Sequence, residues 1–113
     1  MKRALFTKKM DKLFADCREL NHRKGKDYAG DSDALRNFKV RARESGVSPI
    51  QVWSIYAGKH WDAVQSYVRN GQVESEPIEE RIKDLITYLA LLNGLIDEET
   101  NSKKRQKKSL ERV

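Results

Sequence analysis

Hydrophobic residues recur along most of the chain at intervals of three and four positions, which is the spacing of one face of an α-helix. The longest regular series lies in the C-terminal third: Ile78, Ile82, Leu85, Leu89, Leu92 and Ile96. A second series lies near the N-terminus: Phe6, Met10, Leu13, Phe14, Cys17 and Leu20. No stretch keeps the apolar–polar alternation of a half-buried strand. The pattern therefore predicts helices, and it predicts that the C-terminal series faces a core.

Glycine and short polar residues predict the limits of the first two helices. Gly25 is expected to end the first helix. Asp31 or Ser32 is expected to cap a short second helix. That helix is expected to run to Arg43 and to be terminated by Gly46.

The third and fourth helices carry stronger start signals. The segment Ser48-Pro49-Ile50-Gln51 places a capping serine, a proline and a glutamine where they satisfy the first amides of a helix. Asn70-Gly71 is expected to end this third helix. The fourth is expected to have Pro77 in its first turn, where the neighbouring glutamates are favourable to the helix dipole.

These elements predict an all-α fold, a compact bundle of four main helices. A chain of 113 residues fits one domain. We assign residues 1–98 to the bundle and residues 99–113 to a basic, helix-permissive C-terminal tail. The short connections favour antiparallel neighbours, and a second copy is expected to add to the modest core.

The net charge of +6 is concentrated in that tail. Residues 103–113 carry six cations and one anion, a sum of +5, so the rest of the chain is nearly neutral. A basic tail suits nucleic acid or an acidic protein surface, and the alternative interpretation is a solubilising, frayed C-terminus. No apolar run is long enough to cross a bilayer, so no membrane partner is expected. The single cysteine, Cys17, is expected to be a buried thiol in a cytoplasmic protein.

Polar residues of the fourth helix are candidates for chemistry. Glu80 and Asp84 are four residues apart, and Arg81, Asp84 and Tyr88 also share a face. Two carboxylates at this spacing suit one Mg²⁺ ion. The alternative is an exposed ion-pair face, in which Arg81 neutralises Asp84.

The segment from Lys24 to Gly30 combines glycines, lysines and an aromatic ring. Lys24 and Lys26 offer positive charge to a phosphate, and Tyr28 offers a ring that stacks on a base. Asp27 suits a ligand hydroxyl. The segment lacks the glycine-lysine-serine/threonine sequence of a Walker loop, and a surface turn is the alternative interpretation.

The third helix adds Lys59 and His60, which lie three and four residues after Tyr56. His60 suits a phosphate donor, a base or a packed ring. Trp53 and Trp61 are eight residues apart, so they lie on nearly the same side of the helix. They suit a core, an oligomer interface or a stacking surface.

At these positions the chain resembles a family of small phage proteins described as nucleotide-modification-associated. The shared pattern is a Lys-x-x-Asp-Tyr-x-Gly segment, an Asn-Phe pair, a central Lys-His region and a final helix of the form Glu-x-Ile with a later Asp-Leu-x-x-Tyr. It is carried here by Lys24, Asp27, Tyr28, Gly30, Asn37, Phe38, Lys59, Glu76, Ile78, Asp84, Leu85 and Tyr88. The resemblance covers about residues 13–96.

The last helix also resembles a metal-binding helix of the all-α MazG-type nucleotide pyrophosphatases. Those enzymes hold magnesium with a Glu-x-x-Glu pair and a Glu-x-x-Asp pair. Here Arg81 stands three residues before Asp84 in place of a glutamate, and the first helix offers only Asp16 and Glu19 at that spacing. A guanidinium weakens cation binding and favours direct contact with phosphate.

Three functions follow as hypotheses. The favoured one is a protein that sequesters a phosphorylated nucleotide or cyclic nucleotide, such as a host defence signal, with no catalytic residue. Its ligand-binding residues would be Lys24, Lys26, Asp27, Tyr28, Asn37, Lys59, His60, Arg81, Asp84 and Tyr88. The second is a magnesium-dependent nucleotide pyrophosphatase with the metal ligands Asp16, Glu19, Glu80 and Asp84. The third is a nucleic-acid-binding accessory protein that uses the tail.

Overall fold

The computed structural model describes residues 1–28, 32–72 and 76–111, with only the backbone described for residues 25–28. In these residues the chain forms four α-helices and no strand. They are α1 (Arg3–Tyr28), α2 (Arg36–Ser45), α3 (Pro49–Asn70) and α4 (Ile78–Glu111). The predicted all-α bundle is therefore confirmed. None of the helices in the described ranges is long and apolar enough to span a bilayer.

The limits of α3 follow from its own sequence. The Ser48 hydroxyl accepts a hydrogen bond from the Gln51 amide at 3.1 Å, and the Gln51 side chain accepts one from the Ser48 amide at 2.8 Å. At the other end Gly71 adopts a φ of 74°, and its amide donates to the Tyr67 carbonyl. A positive φ of this kind is accessible to glycine at little cost, so the predicted stop is confirmed.

The start of α2 differs from the prediction. The helix begins at Arg36, and Leu35 occupies the cap position without a side-chain cap. Ser32 is therefore too early to cap it, and Asp31 lies outside the described residues. Asp33 instead accepts a hydrogen bond from the Leu35 amide at 2.9 Å, which closes a turn before the helix. Gly46 ends α2 with a φ of 69°, as predicted.

Gly25 does not end the first helix, because α1 continues to Tyr28. A glycine inside a helix costs about 1 kcal/mol relative to alanine, which neighbouring helix-forming residues can offset. The interpretation of Lys24 to Gly30 as a surface turn is wrong over residues 24–28, which are helical, and residues 29 and 30 lie outside the described residues.

The buried core lies where α2 and α4 pack against α3. Its members are Leu35, Phe38, Ala42, Val52 and Leu95. α1 packs mainly against α4, where Cys17 is buried with its Sγ atom 3.8 Å from the Lys83 carbonyl oxygen. Burial raises the pKa of this thiol, as expected of a structural cysteine.

The apolar series of α4 does not face the core as predicted. Leu89 is 53% exposed and Ile96 is 46% exposed, whereas Leu95 is buried. The side of α4 that packs inward carries Tyr88, Leu91 and Leu95. The indole nitrogen of Trp53 donates to the Tyr88 carbonyl at 2.6 Å and fixes this orientation. Spacing alone defines a face, but the partner helix decides which face is covered.

The basic end of the chain belongs to α4, which continues without a break to Glu111. Every described residue from Ile96 onward is exposed. The cations between Lys103 and Lys108 are spread around more than half of the helix circumference, because successive residues are about 100° apart. They do not form a single basic face.

Candidate functional site

A cavity of about 550 Å³ opens where all four helices meet, and we call it the central cavity. Its lining combines aromatic, amide and charged side chains. The lining residues are Asn21, Lys24, Ala34, Asn37, Phe38, Arg41, Tyr56, His60, Asp84, Thr87, Tyr88 and Leu91. Five of the ten predicted ligand-binding residues are among them: Lys24, Asn37, His60, Asp84 and Tyr88.

Asp84 is the electrostatic centre of this cavity. Its carboxylate lies 3.2 Å from the Lys24 ammonium group and 3.7 Å from Nδ1 of His60. Asp84 is only 15% exposed, whereas the Lys24 side chain is about half exposed. α1 and α4 are therefore joined by an ion pair whose cation reaches solvent at the cavity edge, where an incoming anion can meet it.

The His60 ring lies against Tyr88, with ring centres 4.8 Å apart and planes tilted by 43°. Burial is the main reason that the pKa of His60 is lowered, and Arg81 and Lys24 lower it further against the attraction of Asp84. The Nδ1–Asp84 distance is too long for a hydrogen bond. His60 is therefore neutral at pH 7 and presents a polar ring without a fixed charge.

Aromatic side chains form the floor of the cavity. Phe38 is buried, and its ring centre lies 6.3 Å from that of Tyr56 and 6.1 Å from that of Tyr88. Burial and the charge of Asp84 raise the pKa of Tyr88, so its hydroxyl stays protonated and can donate a hydrogen bond. The floor is therefore aromatic, and hydrogen-bonding groups stand around it.

α2 contributes Asn37 and Arg41, which are four residues apart and therefore lie on one face. The Arg41 guanidinium is more than half exposed and contacts Glu44 at 2.7 Å. Among the described lining residues, α1 thus contributes the cation Lys24 and α2 contributes the cation Arg41.

The other predicted ligand-binding residues do not line this cavity. Lys59 is exposed on α3. Arg81 is mostly buried on α4, with its Nε atom 3.6 Å from a Glu76 oxygen. The side chains of Lys26, Asp27 and Tyr28 lie outside the described residues. The predicted convergence of Lys26, Lys59 and Arg81 is therefore not seen for Lys59 or Arg81.

Sequence reasoning missed seven of the twelve lining residues, and four of the seven are polar residues with a usable signal. Asn21 precedes Lys24 by three positions, Arg41 follows Asn37 by four, and Tyr56 precedes His60 by four. Thr87 follows Asp84 by three. Neighbours at these spacings share a helix face, so each predicted residue indicates its missing companion.

A second cleft, which we call the carboxylate cleft, lies between α1 and α4. It has a volume of about 240 Å³ and is lined by Asp16, Glu19, Leu20, Arg23, Glu80 and Lys83. It brings together three of the four residues predicted as metal ligands. Asp84 is not among them, because it faces the central cavity.

Each carboxylate of this cleft has a cation of its own helix nearby. Lys12 lies 3.0 Å from Asp16, Lys83 lies 3.3 Å from Glu80 and Arg23 lies 4.0 Å from Glu19. Over the described part of the chain, no three His, Cys, Asp or Glu residues are grouped so that they could hold a metal ion. The arrangement is that of surface ion pairs.

The chain matches no protein family model, no curated protein and no solved structure.

Proposed function

We propose that this protein binds a phosphorylated nucleotide in the central cavity and holds it without cleaving it. The observation that carries the proposal is the convergence of Lys24, Asn37, His60, Asp84 and Tyr88, from all four helices, on one cavity of about 550 Å³. That volume lies within the usual range of small-ligand sites, which are mostly apolar with a few polar groups that converge on the ligand.

The lining residues suit the separate parts of a nucleotide. Lys24 and Arg41 would meet the phosphate by charge-assisted hydrogen bonds at the open edge. The rings of Tyr56 and Tyr88 offer surface to the base, and stacking on an aromatic ring is sequence-tolerant. Asn37 can donate and accept at a base edge or a ribose hydroxyl.

The donor set favours holding the ligand over hydrolysing it. Asp84 is the only carboxylate among the described residues that line the cavity, and it is paired with Lys24. Magnesium in nucleotide-cleaving sites is bound by carboxylates together with substrate phosphates. A lone carboxylate beside an ammonium group has little charge left for a cation.

The resemblance to small phage proteins supplies a biological setting for this proposal. A phage protein that retains an intact nucleotide would remove a host signal, so cyclic nucleotides belong among the candidate ligands. The cavity itself favours an anion that carries a base, and linear and cyclic nucleotides both fit this description.

The test is a thermal-shift screen of mono-, di- and cyclic nucleotides, first in EDTA and then with magnesium. We expect at least one nucleotide to raise the Tm in EDTA and to be recovered intact by chromatography after long incubation. Mg²⁺-dependent release of phosphate or pyrophosphate would overturn the proposal, as would the absence of any shift at millimolar nucleotide.

Two neighbouring cations give a matched pair of variants. Lys24→Met removes a cation from the central cavity, and we expect it to weaken binding at least tenfold, since a hydrogen bond to a charged group contributes about 1.5–3 kcal/mol. Arg23→Met removes a cation from the carboxylate cleft and should change binding less than twofold. Equal losses in both variants would indicate general charge attraction instead of a site.

A further inference from the structure

The apolar series of α1 is divided into a covered half and an uncovered half. Cys17 is buried against α4 and Leu20 is partly buried, but every residue from Met1 to Lys12 is exposed. Phe6 is 54% exposed, and Met10 and Phe14 are exposed as well. These three side chains are four residues apart and form one row along the helix. We call this row the α1 ridge.

The chain exposes more surface than a folded monomer of its size. A 13.1 kDa protein is expected to expose about 6400 Å², whereas this chain exposes 9031 Å². Its radius of gyration is 17.5 Å, against about 13 Å for a compact domain. The polar end of α4 accounts for part of the excess, and the first half of α1 accounts for another part.

An apolar groove of about 350 Å³ lies between α3 and α4, away from the central cavity. It is lined by Trp53, Ser54, Ala57, Gly58, Trp61, Leu85 and Leu89. Trp61 and Leu89 are both more than half exposed. A Cβ atom placed on Gly58 would meet nothing within 4 Å, so the floor is open. We call this the α3–α4 groove.

We propose that the α1 ridge of one copy of this chain packs into the α3–α4 groove of a second copy, and that the second copy does the same in return. The ridge is convex and apolar, the groove is concave and apolar, and both are uncovered in one chain. A reciprocal pair of this kind closes under two-fold symmetry and leaves no free end for further growth.

The size of the uncovered surface fits this occupant. A standard stable interface buries about 800 Å² on each partner, and the excess surface of this chain is about 2600 Å². Ile82 and Ile96 extend the α4 wall of the groove in both directions and are also exposed. Large aromatic and Met side chains are enriched in the centres of protein interfaces, and both surfaces carry them. This inference does not depend on nucleotide binding.

Light scattering of the full chain gives the first test. We expect a mass of twice 13.1 kDa at micromolar concentration. The double variant Phe6→Asp with Met10→Asp should weaken the dimer at least tenfold, because it places two charges on the ridge. Gly58→Phe should do the same by filling the groove, and its monomer should keep its helical circular dichroism, because a Cβ atom at this position meets no neighbour within 4 Å.

Two control variants accompany these. Gly58→Ala adds a methyl group to the groove floor and should keep the dimer. Leu110→Asp changes an apolar residue that is 76% exposed at the far end of α4, and it should also keep the dimer. Loss of the dimer in Leu110→Asp would show that added negative charge alone dissociates it and would overturn the assignment.

A mixing experiment distinguishes a ridge in a groove from two ridges packed together. The double ridge variant retains an intact groove, and Gly58→Phe retains an intact ridge. Mixing the two should restore one of the two contacts and give a heterodimer that is weaker than the wild-type dimer but measurable. A Gly58→Phe variant that dimerises like wild type would overturn the proposal.

A basic amphipathic helix also suits an anionic membrane surface. Flotation of the wild-type chain with phosphatidylserine vesicles tests whether a membrane covers the α1 ridge instead of a second copy. A monomer in solution that binds such vesicles through Phe6 and Met10 would contradict the dimer. We expect a dimer that stays unbound, because the ridge is already covered.

Discussion

The central cavity and the carboxylate cleft adjoin the same contact between α1 and α4, yet they use charge differently. In the carboxylate cleft each anion is close to a cation three or four residues away on its own helix. In the central cavity the Lys24–Asp84 pair joins two helices and stands beside aromatic rings. Residues with similar sequence spacing therefore form solvated ion pairs on one side and a lined cavity on the other.

This difference shows why carboxylate spacing alone is a weak indicator of a metal site. Glu80 and Asp84 are four residues apart, but Glu80 lines one cleft and Asp84 lines the other. Asp84 pairs with Lys24 of α1, whereas Glu80 pairs with Lys83 of its own helix. The candidate binding site differs from the carboxylate cleft because polar side chains from several helices converge around an aromatic floor.

The largest expected effect concerns the floor of the central cavity. Phe38→Ala removes a buried ring that packs against Tyr56 and Tyr88, and it should lower the free energy of unfolding by about 3–5 kcal/mol. Leu20→Ala, in the partly exposed carboxylate cleft, should cost about 1 kcal/mol, near the typical effect of a single substitution. Urea unfolding at one fixed protein concentration measures both. Equal costs would show that the two sites do not differ in how tightly these side chains are packed.

A smaller effect is expected from the two carboxylates on α4. Asp84→Asn breaks an ion pair with Lys24 that joins two helices and whose carboxylate is mostly buried, and it should cost about 1–2 kcal/mol, since Lys24 loses a charged acceptor. Glu80→Gln breaks a partly exposed pair between neighbours three residues apart on one helix, and it should cost less than about 0.5 kcal/mol, as such pairs usually contribute. Thermal unfolding of the two variants provides the comparison. A larger loss in Glu80→Gln would reverse the roles assigned to the two clefts.

The acid dependence of stability should follow His60. Its pKa in the folded protein is lowered from the ordinary value of 6.5, so the unfolded chain binds the proton more readily. Stability is therefore present above pH 6.5 and is lost as the pH falls below it. The charged groups that act on this ring are Asp84, Arg81, Lys24 and Glu76.

The measurement is the Tm at pH 7.5 and at pH 5.5. The fall in Tm should be smaller in His60→Gln than in wild type. His22→Gln, which changes an exposed histidine of α1, should behave like wild type. An identical pH dependence in all three proteins would remove His60 as the cause.

The smallest effect is expected from magnesium and the carboxylate cleft. Asp16→Asn should change the free energy of unfolding by less than about 0.5 kcal/mol, because it removes one exposed pair with Lys12. Adding millimolar magnesium should leave the Tm of both proteins unchanged, since a ligand stabilises only when it binds the folded state. A magnesium-dependent rise in Tm that Asp16→Asn abolishes would restore the metal hypothesis.

Local signals in the sequence were sufficient to predict that four helices form and where α3 begins and ends, because a capping box and a C-terminal glycine act within a few residues. The inward side of α4 could not be obtained in this way. Tyr88 and Leu95 face α3 because Trp53 bonds to the α4 backbone, and that contact joins residues 35 positions apart. The prediction for Gly25 was wrong because one glycine destabilises a helix by only about 1 kcal/mol, and the neighbouring helix-forming residues offset this.

The candidate site was partly predictable for the same reason. Charge, ring and amide chemistry singled out Lys24, Asn37 and His60, which the fold brings into one cavity. Lys59 has similar chemistry but lies on the exposed side of α3, and helix periodicity alone does not say which side faces a neighbour. Arg41 and Thr87 share helix faces with Asn37 and Asp84, but only the packing of the four helices shows that these faces meet in one cavity.

The most direct test of the central claim is to locate a bound nucleotide by NMR. With a nucleotide from the thermal-shift screen, in EDTA, we predict chemical-shift changes at Asn37, His60 and Thr87, and none at Glu19 or Glu80. The ligand's own phosphorus signals should show that it stays intact. Changes confined to the carboxylate cleft, or a nucleotide that disappears when magnesium is added, would contradict the account.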